Sequence, residues 1–149
     1  MATVVSFSDE CVNAAHAVKS GKATFCLYVV EGSEFQVHLI EERNDAAGSC
    51  EERWRSFIEH LPIGRCAYGF VNFSYISPTD HIERGKVVFV YWAPNDAKMK
   101  EKMVTAFSAN GIITKVGEGG ISARIQAGDL SSVEYSTVLD QVLARATVK

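Results

Sequence analysis

The sequence predicts one domain, residues 1–149, built on a mixed β-sheet with helices against both of its faces. Three observations point there. A chain of 149 residues is the size of a single hydrophobic core. Two segments, Cys66 to Tyr75 and Lys86 to Trp92, are so aromatic or apolar that only a sheet covered on both sides would bury them. The elements also come in mixed order, starting with a helix and then a hairpin, and they add up to four helices and about five strands.

Ser8-Asp9-Glu10 offers a helix cap followed by acids, and Cys11, Val12, Ala15 and Val18 recur at helical spacing until Ser20-Gly21. The aromatic and branched run Thr24 to Val30, the turn material Glu31-Gly32-Ser33 and the run Phe35 to Ile40 predict a hairpin. Ser49 to Glu52 can cap a second helix with Trp54, Phe57, Ile58 and Leu61 as its apolar stripe, ended by Pro62 and Gly64. The polar connection "SPTDHIERG" then suits a hairpin end between the two apolar strands.

After Trp92, Pro94 closes the strand, Asn95 or Asp96 is placed to cap a third helix, and Asn110-Gly111 is placed to end or distort it. On a helical wheel Met99, Met103, Ala106 and Phe107 gather on one side, with Lys98, Lys102 and Thr105 in a separate stripe and Lys100 between them. This predicts one buried flank and one basic flank. For Met103 the wheel leaves core and contact both open. "ISARIQA" alternates as a strand, and Ser131 or Ser132 is read as the start of a last helix marked by Val138, Leu139 and Val142.

The chemistry of an enzyme is missing from the sequence. There is no phosphate-binding Gly-Lys-Ser/Thr loop, no Gly-x-Ser-x-Gly elbow and no His-Glu-x-x-His. The four cysteines are scattered without metal or redox spacing, the four histidines are far apart, and no cofactor is expected. A net charge of -3 gives no electrostatic case for nucleic acid. The sequence shows no signal-peptide pattern and no apolar run near the roughly 20 residues that span a bilayer, so a cytoplasmic, monomeric, non-enzymatic protein is expected.

Three stretches carry a resemblance: "VVSFSDEC" at residues 4–11, "KVVFVYWAPNDAKMKEKMVTAFS" at 86–108 and "SSVEYSTVLDQVL" at 131–143. On these the chain resembles the actin-depolymerising factor and cofilin family. The resemblance implies the ADF-homology, gelsolin-like fold, a central mixed sheet of five to six strands between two pairs of helices. It also implies an actin-binding protein that prefers the ADP form of monomers and filaments, severs and depolymerises filaments, and belongs to the actin cytoskeleton.

Carried onto this chain, the family's monomer-binding surface falls on Val4, Val5, Ser6, Lys98, Lys100, Lys102, Met103 and Ser108, with the lysines facing an acidic partner. The filament surface falls on Arg84, Lys86, Asp140 and Arg145. Regulatory phosphorylation falls on Thr3 or the nearby Ser6. Implied partners besides actin are inhibitory phosphoinositides, and cyclase-associated protein and actin-interacting protein as helpers of turnover.

The chain also departs from the family pattern. Thr105 replaces a common tyrosine, Phe107 a serine and Ala109 a lysine, while Gln141 and Ala144 stand where arginines are frequent. These departures keep open a divergent member that sequesters monomer and severs weakly. A regulator of filaments or branches, like coactosin or glia maturation factor, is the other alternative.

Overall fold

The computed structural model describes residues 8–31, 36–43, 48–117 and 119–147. Thr3, Val4, Val5 and Ser6 lie outside them, as does the side chain of Arg145. Helix α1 (Asp9–Lys19) starts at Ser8, whose Oγ accepts from the Cys11 amide at 3.4 Å. Strands β1 (Phe25–Glu31) and β2 (Gln36–Arg43) form the antiparallel hairpin, with a bulge between Leu27 and Tyr28. Helix α2 (Cys50–Ile58) opens with a capping box between Ser49 and Glu52.

Strands β3 (Ala67–Ile76) and β4 (Glu83–Trp92) pair antiparallel, and after helix α3 (Met99–Val116) strand β5 (Ile121–Ala127) joins β4 in parallel. A 3-10 turn (Leu130–Val133) leads into helix α4 (Tyr135–Thr147). The described strands form one mixed sheet in the order β2-β1-β3-β4-β5.

Strand alternation splits the core in two. Cys26, Tyr28, Tyr68, Phe70, Phe89 and Tyr91 face α1 and α3, whereas Phe25, Leu27, Val71, Phe73, Val88 and Trp92 face α2 and α4. Both faces of the central strands are therefore covered, which is why their sequences run apolar without a polar alternate. Helix α2 comes down close over the sheet: a Cβ on Gly69 would lie 2.7 Å from the Phe57 ring. Beside the Phe57 ring, Trp54 Nε1 donates to the Val133 carbonyl at 2.7 Å, tying the 3-10 turn to α2.

Three local expectations are corrected. Asn95 and Asp96 sit in a turn, and the N-cap of α3 falls two to three residues later, at Lys98, with no side-chain cap bond. Ser131 and Ser132 lie in the 3-10 turn, whose cap is Asp129, and α4 starts only at Tyr135.

The third correction concerns Gly111, which the helix passes without stopping. Glycine costs about 1 kcal/mol in a helix interior, but Ile112, Ile113 and Val116 beyond it are buried beside α1, at roughly 1.5–3 kcal/mol each. Burial wins. The helix ends instead at Gly117, whose φ of 105° suits a residue without Cβ. There His16 Nε2 and Lys19 Nζ from α1 donate to the Val116 and Gly117 carbonyls, each at 3.0 Å.

The inward face of α3 is polar at its centre. Thr105 is fully buried, and its hydroxyl donates to the Glu101 carbonyl at 2.7 Å. The Tyr68 hydroxyl donates to the Thr105 carbonyl at 2.6 Å. The Tyr91 hydroxyl reaches both Thr105 Oγ1, at 2.7 Å, and the Lys102 carbonyl, at 3.1 Å. Glu101 also turns inward, accepting from the Cys66 amide at 2.8 Å. Burial, and then the neighbouring Cys66, pushes the Tyr91 hydroxyl up to about 12; burial raises the Tyr68 hydroxyl too.

Two measurements check this arrangement. Gly111 has open space around its Cβ position, so Gly111→Ala is expected to raise unfolding free energy by about 0.5–1 kcal/mol in urea titrations; a helix that stopped there would make the change destabilising. Tyr91 ionises near pH 10 when unfolded and near 12 when folded. The folded state holds the proton longer, so the stability from this group is intact below about pH 10 and is lost as pH rises toward 12. Tyr91→Phe is expected to cost about 1 kcal/mol at neutral pH and to flatten that alkaline decline.

Candidate functional site

Because α3 sends Thr105 and Ser108 inward, its apolar stripe points to solvent. Met99, Met103 and Phe107 are 68%, 65% and 63% exposed, with Ala106 exposed beside them. Residues at i, i+4 and i+8 stack along one side of a helix, so the three side chains form a continuous ridge. The expected buried flank is thus the outer one, and the expected polar stripe is split, with Thr105 in the core. Large apolar side chains in a row on a surface mark a place where a partner removes them from water.

The charges beside the ridge are basic. Lys98 and Lys100 are exposed at the start of the helix. Lys102 is half-buried, and its Nζ donates to the Asn95 carbonyl at 3.2 Å, closing the turn before the helix. Glu101, the acid of the first helical turn, is directed at the Cys66 amide on the inner side of the helix. The arrangement offers adaptable thioether and aromatic area with cations at one end, which fits a groove with an acidic rim.

Of the residues assigned to this surface from the sequence, the structure brings Lys98, Lys100, Lys102 and Met103 together on the first turns of α3. Ser108 is corrected: at 3% exposure its side chain is in the protein and out of a partner's reach. Met99 and Phe107, outside that assignment, share the exposed ridge with Met103. Their signal was present in the same wheel stripe, but apolar residues on a helix read as core unless the inward face is known.

The second assigned surface lies elsewhere. Arg84 stands opposite Tyr75, and Lys86 opposite Phe73, on the sheet face that carries α2 and α4. Arg84 is exposed and pairs with Asp80. That guanidinium holds the Asp80 carboxyl below its usual range. Asp140 is exposed on α4. Among the described residues no cluster of His, Cys, Asp or Glu could hold a metal ion, and no helix is long and apolar enough to cross a membrane.

Comparison with known proteins agrees across nearly the whole chain. The family model described as cofilin/tropomyosin-type actin-binding protein matches residues 4–143. A cofilin of Kluyveromyces lactis is 33% identical over 139 residues, covering 93% of this chain and 92% of the relative. A cofilin of Saccharomyces cerevisiae is 30% identical over 139 residues, with 93% and 92% covered.

Among solved structures, cofilin of Streptomyces griseoflavus superposes with a TM-score of 0.76 at 27% identity, covering 93% of this chain and 96% of that one. Actin depolymerization factor 2 of Plasmodium berghei superposes at 0.80 over 96% of this chain and 99% of that one; its 20% identity makes this a likeness of fold alone. With the family model matching nearly every described element and relatives above 30% identity along almost the full length, the chain belongs to the actin-depolymerising factor and cofilin family.

Proposed function

We propose that the protein binds actin as monomer and filament, favours the ADP form, and promotes filament severing, depolymerisation and turnover in the cytoplasm. Family membership supports actin as the partner. The observation that carries the reading in this chain is the exposed Met99, Met103 and Phe107 ridge with Lys98 and Lys100 at its start.

In this reading the ridge supplies buried apolar area at the centre of the contact, where most binding energy concentrates. The lysines steer an acidic partner and fix its orientation. No reacting group is involved, and work on the filament comes from binding energy that differs between its states. Phosphoinositides would compete for the same lysines as inhibitors, and cyclase-associated protein and actin-interacting protein would act as co-factors of turnover.

A monomer-recycling role with weak severing is the second reading. It is favoured by one observation: Arg84, half of the basic pair assigned to the filament surface, is already engaged by Asp80.

The test titrates ADP-actin monomer and images labelled filaments with the wild type, the double variant Lys100→Ala, Lys102→Ala, and Met103→Ala. The double variant is expected to bind monomer at least about tenfold more weakly and to lose salt dependence. Met103→Ala is expected to lose about 2 kcal/mol without changing salt dependence. Circular dichroism melts report whether the fold is intact. Unchanged affinity in both variants would remove α3 from the contact, and monomer binding without severing would select the second reading.

A further inference from the structure

A hydroxyl followed three residues later by a carboxylate is the pattern an acid-directed protein kinase reads, because basic groups in its substrate groove pair with that carboxylate. Among the described residues Ser49, Ser56, Ser77, Ser131 and Thr137 have this spacing. The fold occupies all but one. Ser49 is the cap of α2, its Oγ accepting from the Glu52 amide at 3.1 Å. Ser56 and Thr137 are half-buried inside helices, and Ser77 is 6% exposed.

Ser131 remains. It is exposed and outside any α-helix. Ser131 and Glu134 have the spacing of a capping box but do not form one, because α4 begins only after Glu134 and the cap of the 3-10 turn is Asp129. The pattern that makes a helix start at Ser49 is therefore left on the surface here, with Glu134 exposed as well. The turn is also tolerant of change at Ser131. Asp129 Oδ1 accepts from Ser131 Oγ at 2.7 Å, but also from the Ser132 amide and hydroxyl at 3.0 and 2.9 Å.

We propose that Ser131 is a phosphorylation site for an acid-directed serine/threonine kinase that reads Glu134. In the transfer Ser131 Oγ forms a bond to the γ-phosphorus of a nucleoside triphosphate as the bond from that phosphorus to the bridging oxygen breaks. The hydroxyl proton goes to the kinase's base, and the nucleoside diphosphate leaves. The product replaces a donor to Asp129 with a group of about -1.5 to -2 charge. Repulsion between the two anions then loosens the turn whose Val133 carbonyl takes the Trp54 indole. On the actin-binding reading, on which this last consequence rests, α4 carries Asp140 of the assigned filament surface, and charge added at the entry to that helix weakens the contact.

The full-length chain would be incubated with a purified acid-directed serine/threonine kinase and ATP, and the phosphate located by intact mass and peptide fragmentation. Expected is one phosphate on Ser131, absent in Ser131→Ala, retained in Ser132→Ala, and added about tenfold more slowly to Glu134→Gln. No uptake by the wild type, undiminished uptake by Ser131→Ala, or phosphate only on Ser132 or Ser6 would overturn the site. Pelleting with actin separates the two readings. If the phosphorylated chain binds as well as the unmodified one, the regulatory consequence fails; if the unmodified chain never binds, the actin reading fails and the modification site stands.

Discussion

Tyr68 and Tyr91, projecting from β3 and β4, meet α3 at Thr105, and that set of hydroxyl contacts decides which side of the helix faces the sheet. Thr105 is fully buried with its hydroxyl satisfied. A buried hydroxyl without a partner costs roughly 1–3 kcal/mol, so a rotation of the helix that broke these bonds would be opposed from three directions. Everything proposed for the outer face follows from this inner one, because Met99, Met103 and Phe107 are displayed only while Thr105 and Ser108 point inward.

The far end of the helix is held by different means. Ile112, Ile113 and Val116 bury hydrocarbon against α1, and α1 in turn closes the last carbonyls of α3 through His16 and Lys19. The first half is thus fixed by hydrogen bonds and the second by packing and capping. Such a helix can leave a large apolar stripe in water without turning over. For the contact proposed on this face, the surface would be in place before the partner arrives and little conformational entropy would be lost on docking.

The departures from the family pattern acquire physical meaning in this setting. Thr105, where the resemblance implies a tyrosine, meets the Tyr91 hydroxyl, which also reaches the Lys102 carbonyl. Phe107, where the resemblance implies a serine, is not absorbed into the core but lengthens the exposed ridge by one turn. Gly111 does not shorten the helix. Its second half keeps Lys115 as its basic residue, so the helix holds its full extent while that half is less basic than the resemblance implies.

The order of elements, the helix starts at Ser8 and Ser49, the doubly covered strands and the family itself were legible in the sequence, because local capping chemistry and apolar run length depend on neighbours along the chain. Lys98, Lys100, Lys102 and Met103 were joined in one assignment only by the family resemblance, since helical spacing by itself set Met103 in a different stripe from the lysines. Three things only the tertiary structure decided. The inward face of α3 was misread because hydroxyls contributed by Tyr68 and Tyr91, far away in sequence, make a polar face the better one to bury. The end of α3 was misread because burial against α1 outweighs a glycine's propensity. The start of α4 was misread because Asp129 organises Ser131 and Ser132 into a 3-10 turn, held from outside by the Trp54 indole on the Val133 carbonyl. In each case a long-range contact was worth more than the local preference it opposed, and a sequence read in windows registers only the preference.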